Sequence, residues 1–247
     1  MRKNYFTTFC LVFLFLCGFL AVKAQDTYQP GFVILNDGTR VAGSIILYTN
    51  APWSNQQHIF LKDSAAMAAS PNGDVRPKKY KTGDIKYYQV GDRKFDKVHF
   101  VESTDLHFSI LGSNNHMLER LTSGRIAAYR YYSYPPDIDT FTGSEEEYEK
   151  RKTHELLSGY KVLARKDEKG NYHDTLNDGV QKGYFDDAPE IMNKYNEGGY
   201  GNEPSAKQKG LFAKMVAQAK KTTFKQKEAD AIVAAFSEYN QTHPVKN

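Results

Sequence analysis

The chain has 247 residues, of which 25% are charged and 13% aromatic, and its formal net charge at pH 7 is +4. So small an excess of positive charge gives no electrostatic reason to expect a nucleic acid or an anionic membrane as partner. Cysteine occurs only at Cys10 and Cys17, which excludes a disulfide-rich scaffold and a site built from several thiolates.

The first 24 residues have the pattern of an export signal. Two basic residues open the chain, the apolar run from Phe6 to Val22 follows, and small residues then precede a predicted cleavage between Ala24 and Gln25. The alternative is a retained membrane anchor, because the apolar run has about the minimum length of a spanning helix, roughly 17 residues. We expect cleavage, since the small residues stand directly behind the apolar run.

Cleavage at this point changes the properties of the mature chain. Both cysteines leave with the signal, and three basic residues leave with them, which lowers the formal net charge to +1. The mature protein then has no disulfide and no membrane span, so its core alone must stabilise it, and a chain of this size can build one. We expect it in the periplasm or at the cell surface of a Gram-negative bacterium.

Strand and turn signals alternate from residue 28 to residue 136. The stretch GFVILNDGTRVAGSIIL predicts a β-hairpin that turns at Asn36 to Gly38, and small residues predict a loop at 64–75. The other strand signals are short runs bounded by turns, namely HIFLKD (58–63), the runs on either side of VGD (90–92), HFSI (107–110), HMLERL (116–121) and RIAAYRYYSY (125–134). Turns at this regular spacing predict an antiparallel sheet, a sandwich or an open barrel.

The pattern changes after Pro135 and Pro136. Ser144 and Glu147 have the spacing of a capping box, so the charged segment 143–158 is predicted to be either a short helix or a partly ordered excursion. Residues 160–176 predict one more hairpin, which turns near Lys169 and Gly170.

Helix signals dominate the end of the chain. Asp187 is placed as the N-cap of a helix that has Pro189 in its first turn and Glu190 at the box position. Apolar residues at helical spacing predict two further helices, one marked by Leu211, Phe212, Met215, Val216 and Ala219 and the other by Ala229, Ile232, Val233 and Phe236.

These signals together predict an α+β fold that is mainly β. The expected order is a signal peptide at 1–24, a β-rich domain at 25–183, and a C-terminal segment at 184–247 with two or three helices that pack on the β-rich domain.

Several of these stretches resemble the motifs of one protein family. They are the hairpin GFVILNDGTRVAGSI, the later LERLTSGRIAAYRYY, and the ending YFDDAPEIMNKY with ADAIVAAFSEYN. On these motifs, which cover most of residues 31–240, the chain resembles a family of small secreted proteins from outer-membrane-bearing bacteria. The resemblance implies a signal peptide, a β-rich domain and C-terminal helices, and it carries no catalytic residue. The charged stretch 143–155 and the basic stretch 207–227 depart from the family pattern.

Motifs that carry chemistry are missing from the sequence. It has no nucleophile elbow, no phosphate-binding glycine loop and no H-E-x-x-H zinc motif. His99, His107 and His116 come closest to a metal site, but they lack the closely spaced ligand pair that zinc sites use. Carboxylates such as Asp186 and Asp187 are adjacent in the chain, which does not place two acids across a cleft. We therefore predict no catalytic residue, no metal and no cofactor.

The stretch AAYRYYSYPPD, residues 127–137, is rich in tyrosine. In an extended strand Ala127, Tyr129 and Tyr131 share one face, and Arg130, Tyr132 and Tyr134 share the other. The first face suits the edge of a core. The second is either a cross-strand aromatic ladder or a platform on which a sugar stacks, so Arg130, Tyr132 and Tyr134 are the candidate ligand-binding residues.

Two Asp-Ser/Thr-apolar triplets resemble sites of O-glycosylation in secreted bacterial proteins. They are Asp63-Ser64-Ala65 and Asp174-Thr175-Leu176, and both fall in turn-like settings.

We expect a binding or structural component of the bacterial envelope that acts without catalysis, with an envelope protein or a glycan as partner. The alternative is a hydrolase of cell-surface glycan whose carboxylates are brought together by the fold. A third hypothesis is a docking subunit whose last helix, around Ile232 and Phe236, packs on another protein.

Overall fold

The computed structural model describes residues 27–70, 72, 74–101, 114–135, 141–175, 181–204 and 226–244, without the side chains of residues 181 and 182. These residues form an antiparallel sheet with helices at the C-terminal end, so the predicted α+β, mainly β class is confirmed. The predicted cleavage between Ala24 and Gln25, the histidine at 107, and the helix expected around Leu211 and Phe212 lie outside the described residues.

The described strands and helices have the following bounds. The strands are β1 (Tyr28–Leu35), β2 (Arg40–Ile46), β3 (His58–Asp63), β4 (Lys78–Lys81), β5 (Ile85–Val90), β6 (Arg93–His99), β7 (Asn115–Thr122), β8 (Ile126–Tyr131), β9 (Lys161–Lys166) and β10 (His173–Asp174). The helices are α1 (Ser54–Gln57), α2 (Ser64–Ala69), α3 (Glu145–Ser158), α4 (Gln181–Tyr184), α5 (Pro189–Asn196) and α6 (Gln226–Thr242). None of these helices has the length and apolar character needed to cross a bilayer.

The order of strands across the sheet is β10-β9-β8-β7-β6-β5-β1-β2-β3-β4. Strands β4 and β5 are separated by three strands in this order, yet residues 82–84 alone connect them. The sheet must therefore curl so that the end of β4 meets the start of β5. Two backbone hydrogen bonds fasten this corner, from Thr82 N to Gln57 O at 2.9 Å and from Asn36 N to Asp84 O at 3.2 Å. The sheet stays open, because β4 and β5 are not neighbours in its hydrogen-bonded order.

The first hairpin shows how the sequence produces this curl. The predicted turn is confirmed, with Gly38 at φ +89° and a bond of 2.9 Å from Leu35 N to Thr39 O. Farther along the hairpin Gly31 and Gly43 pair directly. A Cβ at Gly31 would overlap the carbonyl oxygen of Gln89 on the neighbouring strand β5, so these strands approach more closely than side chains would allow.

The core consists of three groups of buried side chains. The first lies inside the curl and comprises Val33, Ile45, Leu47, Ile59, Leu61, Tyr80, Ile85, Tyr88, Val90, Phe95 and Met117. The second joins β8 and β9 to the C-terminal helices and includes Ile126, Ala128, Tyr160, Val162, Ala164, Phe185, Ile191, Ile232, Phe236 and Tyr239. The third is smaller and comprises Val98, Leu118, Tyr129, Tyr131 and Leu163.

Helix α6 belongs to the second core group. Ala229, Ile232 and Phe236, three of the residues predicted to mark its apolar face, are fully buried against the sheet and the preceding helices. Asn240 extends the contact, because its side chain accepts a hydrogen bond from Ile126 N and donates one to Ile126 O, each at 2.8 Å. The apolar face of this helix is thus used within the chain, which argues against the docking-subunit hypothesis.

The predicted N-cap role of Asp187 is wrong. Helix α5 begins at Pro189, as the proline predicts, but its N-cap is Ala188, which makes no side-chain capping bond. The carboxylate of Asp187 accepts hydrogen bonds from Lys166 at 2.6 Å, from Arg125 at 2.9 Å and from Tyr239 at 2.9 Å. It therefore links β9 and the bend before β8 to the last helix.

Two other segments test the helix signals. The capping box is confirmed, because Glu147 N donates to Ser144 Oγ and Ser144 N donates to Glu147 Oε2 at the start of α3. The prediction of a loop at 64–75 is wrong for its first half, where Asp63 caps the short helix α2 by accepting bonds from Ala65 N and Ala66 N.

Candidate functional site

A cavity of about 250 Å³ lies where strands β6, β7 and β8 meet the segment between β2 and β3. Its lining combines apolar, amide and charged side chains, and comprises Leu47, Tyr48, Thr49, Pro52, Asn55, Gln56, Arg93, Phe95, Met117, Glu119, Arg130 and Tyr132. This volume is slightly below the usual range of small-molecule sites, roughly 300–1,000 Å³. The cavity therefore has room for one small ligand.

Three charged side chains occupy the sheet side of this cavity, and Arg93, Glu119 and Arg130 are together called the charged triad below. The register of the sheet brings them together. Glu119 of β7 pairs directly with Arg130 of β8 and, on its other side, with Phe95 of β6. Arg93 lies two residues before Phe95 and so shares its face.

Glu119 is the centre of the charged triad. Arg93 donates two hydrogen bonds to its carboxylate, from Nε and Nη2, each at 2.8 Å, and Arg130 Nη1 donates a third at 2.8 Å. The exposed fractions of the side chains are 44% for Arg93, 25% for Arg130 and 12% for Glu119. Arg93 thus lies nearest to solvent, and Glu119 lies at the inner end.

Aromatic rings hold both guanidiniums in place. Arg130 lies over the ring of Tyr160 at 4.4 Å, and Arg93 lies over the ring of Phe95 at 5.3 Å. Tyr132 packs edge-on against Tyr160 with ring centres 6.0 Å apart. Such contacts restrict the side-chain rotamers, so the charged triad is positioned before any ligand arrives.

The charged groups of the site influence one another's ionisation. Burial opposes a charge on Arg93, but the hydrogen bonds and charge of Glu119 outweigh burial and raise the pKa of the guanidinium. Burial also raises the pKa of the Tyr132 phenol, and the nearby charge of Arg130 acts in the opposite direction. Arg93 is therefore a cation and Tyr132 is neutral at physiological pH.

Two buried amide side chains fix the opposite wall of the cavity. Gln56 donates to Tyr132 O at 2.8 Å and accepts from Tyr132 N at 2.6 Å. Asn55 makes the same kind of pair with the loop after β2, since it accepts from Tyr48 N at 2.7 Å and donates to Ile46 O at 2.9 Å. Each amide side chain bonds a backbone N–H and a backbone carbonyl as a neighbouring strand would. Helix α1 is thereby joined to the sheet at two points.

Of the three predicted ligand-binding residues, Arg130 and Tyr132 line the cavity, whereas Tyr134 does not. Strand β8 ends at Tyr131, so alternation no longer determines where Tyr134 lies. Its hydroxyl is 2.8 Å from Nδ1 of His116, and its ring packs near Tyr131 in the third core group. The predicted packing of Tyr129 and Tyr131 is confirmed, because both are buried in that group.

His99 and His116, the two described histidines of the three considered for a metal site, have other partners. Both ring nitrogens of His116 are engaged, with Tyr134 and with the carbonyl oxygen of Phe100. His99 lies 3.3 Å from Asn115 Oδ1, while Glu119 is on the opposite face of β7 from His116. Among the residues that the structure describes, no group of three or more His, Cys, Asp or Glu side chains is arranged to hold a metal ion.

The two triplets that resemble glycosylation sites differ in exposure. Ser64 is exposed at the start of α2. Thr175 is fully buried, and its hydroxyl donates a hydrogen bond of 2.9 Å to Val162 O. In the folded chain, Ser64 is accessible to a transferase and Thr175 is not.

The sequence did not indicate Asn55, Gln56, Arg93 or Glu119 as site residues. The available signal was a charged residue two positions from a buried apolar one in the same strand, Arg93 with Phe95 and Glu119 with Met117. That signal becomes useful only when the register of three strands is known.

Comparison of the chain with models of protein families, with curated proteins and with solved structures finds no match.

Proposed function

We propose that the protein is a non-catalytic binding component of the bacterial envelope, and that its ligand site is the cavity around the charged triad. The observation that carries this proposal is the charged triad itself, which shares its sheet face with buried apolar side chains. Phe95 and Met117 flank it on one side and Ala128 continues the face on the other. An apolar floor with a few placed polar groups is the usual form of a small-molecule site.

An ion-pair cluster of this kind is weak evidence for a purely stabilising role. Replacing a buried ion pair by apolar side chains of similar volume is often neutral or even stabilising. Apolar residues at these three positions would join the first and second core groups without interruption. A ligand site explains why charge is present here despite its desolvation.

The envelope part of the proposal rests on the export pattern before Gln25 and on the family resemblance. In that compartment we expect an envelope saccharide as ligand. Its hydroxyl groups would accept hydrogen bonds from the guanidiniums, and its apolar ring face would pack against Tyr132.

Hydrolysis of a cell-surface glycan is the alternative function. Most glycosidases place two carboxyl groups about 5–10 Å apart on either side of the bond that they cleave. Among the described residues that line the cavity, Glu119 is the one carboxylate, and both of its oxygens accept hydrogen bonds from guanidiniums. This arrangement favours binding over turnover.

A saccharide array of bacterial envelope glycans tests the proposal, with the full chain exported by its own signal as the probe. Arg130→Gln should weaken binding about tenfold or more, because hydrogen bonds from charged groups contribute about 1.5–3 kcal/mol each. Near-ultraviolet circular dichroism would verify that the variant is folded.

Arg165→Gln is the matched control. Arg165 lies on the neighbouring strand β9, stacks on Tyr172 at 4.6 Å and, like Arg130, has a buried Nε without a partner among the described residues, but it does not line the cavity. Arg165→Gln should therefore bind as the wild type does. Absence of binding by the wild type, or equal binding by a folded Arg130→Gln, would contradict the proposal.

A further inference from the structure

We infer that the ligand of the cavity carries one carboxylate, as a uronic acid residue of an acidic saccharide does, and that Arg93 is the residue that binds it. The inference rests on the proposed function and specifies its ligand class. It is carried by the charge of the cavity, by the position of Arg93 and by the hydrogen-bonding groups that remain for a ligand.

The charge of the described lining is positive by one unit. Arg93 and Arg130 each contribute a positive charge and Glu119 a negative one, while the other lining residues are uncharged at neutral pH. A ligand with a single negative charge therefore neutralises the site. A phosphate monoester carries about −1.5 to −2 near pH 7 and would leave an excess of negative charge beside Glu119.

Arg93 is the arginine that a ligand meets first. Its side chain is 44% exposed, whereas that of Arg130 is 25% exposed. Nε and Nη2 of Arg93 bind Glu119, and its Nη1 makes no hydrogen bond with a described residue. The Nη1 group is thus left for a ligand, and a guanidinium is well suited to bind a carboxylate.

The amides of the cavity wall are less suited to recognise the ligand. Asn55 and Gln56 already use both their oxygen and their nitrogen in the bonds that fix the backbone at Tyr48, Ile46 and Tyr132. Recognition of the acidic group is thereby left to the charged triad. Phe95, Met117 and the ring of Tyr132 supply the apolar surface on which the rest of a sugar residue can pack.

Calorimetric titration of the full chain with matched sugars tests the inference. The probes are methyl glucuronide and methyl galacturonide, the neutral methyl glucoside and galactoside, and glucose 6-phosphate. We expect one of the uronides to bind about tenfold or more tightly than its neutral counterpart and than the phosphate, as a charge-assisted hydrogen bond would produce. Arg93→Gln should remove most of that advantage, so that its affinities for the uronide and for the neutral sugar differ by less than about threefold, because a neutral amide lacks the charge that pairs with the carboxylate.

The control variant is again Arg165→Gln, which should keep the full preference for the uronide. A neutral sugar that binds as tightly as its uronide would overturn the inference and leave the proposed function standing. Tighter binding of the phosphate would also overturn it, since the charge argument would then be wrong. If no probe binds the wild type, both the inference and the saccharide site of the proposed function fail.

Discussion

Asp187 shows how a single side chain can connect separate parts of the chain. Lys166 of β9, Arg125 before β8 and Tyr239 of α6 all donate hydrogen bonds to its carboxylate. Lys166 has the largest effect on its ionisation, burial opposes that effect, and Tyr239 and Arg125 add to it, so the pKa of Asp187 is well below its usual range.

Asp187→Asn should therefore lower the free energy of unfolding at pH 7. Because the side chain is 43% exposed, solvent screens these bonds and we expect a loss of about 1–2 kcal/mol. Urea unfolding would measure this loss. Asp186→Asn is the control, because Asp186 is the exposed neighbour of Asp187 and its replacement should change the free energy of unfolding by less than about 0.5 kcal/mol. Equal stability of the two variants would show that the network is not stabilising.

The pH dependence of this contribution has a definite sign. A carboxylate whose pKa is lowered in the folded state stabilises the protein above its unfolded pKa of about 3.9, and the contribution is lost as pH falls below that value. The difference between the wild type and Asp187→Asn should thus be constant from pH 7 to about pH 5 and shrink at lower pH. A difference that grows on acidification would contradict the role given to Asp187.

His116 gives a second pH effect at the residue scale. Burial lowers its pKa, and the carbonyl oxygen of Phe100 can accept only from a protonated Nε2, so Nδ1 of the neutral ring accepts from Tyr134. Stability that depends on neutral His116 is complete above the unfolded pKa of about 6.5 and falls as the pH drops below it. Urea unfolding at pH 7.5 and 5.5 should show a smaller decrease for His116→Gln than for the wild type. The pKa of His58 is also lowered by burial, but His58 is present in both proteins and lowers the stability of each by the same amount.

At the scale of single elements, the glycines of the first hairpin explain the curl of the sheet. Gly31 and Gly43 face one another, and a Cβ at either position would overlap a backbone carbonyl oxygen, that of Gln89 or Lys62. Neither has a positive φ, so close approach of the strands is the reason for glycine.

Gly31→Ala should lower the free energy of unfolding by about 1–3 kcal/mol, the usual range for overpacking. Gly83→Ala is the control, because a Cβ there meets nothing within 4 Å and its φ is not positive. The control should be neutral or slightly stabilising. If urea unfolding gave both variants the stability of the wild type, the strands would have room to move apart.

Helix α6 is the element on which the C-terminal packing depends. Ala229, Ile232, Phe236 and Tyr239 are fully buried in the second core group. Truncation after Thr222 should therefore expose β8 and β9 and cause unfolding or aggregation, and Phe236→Ala alone should cost about 3–5 kcal/mol. Gel filtration and circular dichroism would test this. A truncated chain that stays folded and monomeric would revive the hypothesis that the helix docks on a partner.

For the whole molecule, local signals in the sequence predicted most elements and failed where distant strands had to be aligned. The turn at Gly38, the capping box at Ser144 and the apolar spacing of α6 each act within a few residues, and all three are confirmed. Helix α2 was missed because its small residues also suit a loop, and its cap, Asp63, closes the preceding strand.

The candidate site was only partly predictable for the same physical reason. Arg130 and Tyr132 were identified because they are two residues apart in a tyrosine-rich stretch, where strand alternation places them on one face. Arg93 and Glu119 are 26 residues apart, and Gln56 is 76 residues from Tyr132, so the register of the sheet decides whether they meet. Tyr134 was assigned to the wrong face because the strand ends three residues before it.

Two-dimensional NMR can show directly whether the cavity with the charged triad is the binding site. The full chain labelled with ¹⁵N would be titrated with the uronides and their neutral counterparts. We expect the largest shifts at the backbone amide of Tyr132 and at the Nε–H groups of Arg93 and Arg130, and no shift at Arg165. Shifts centred elsewhere, for example on the lysines of β4, or no shifts at all, would contradict this expectation.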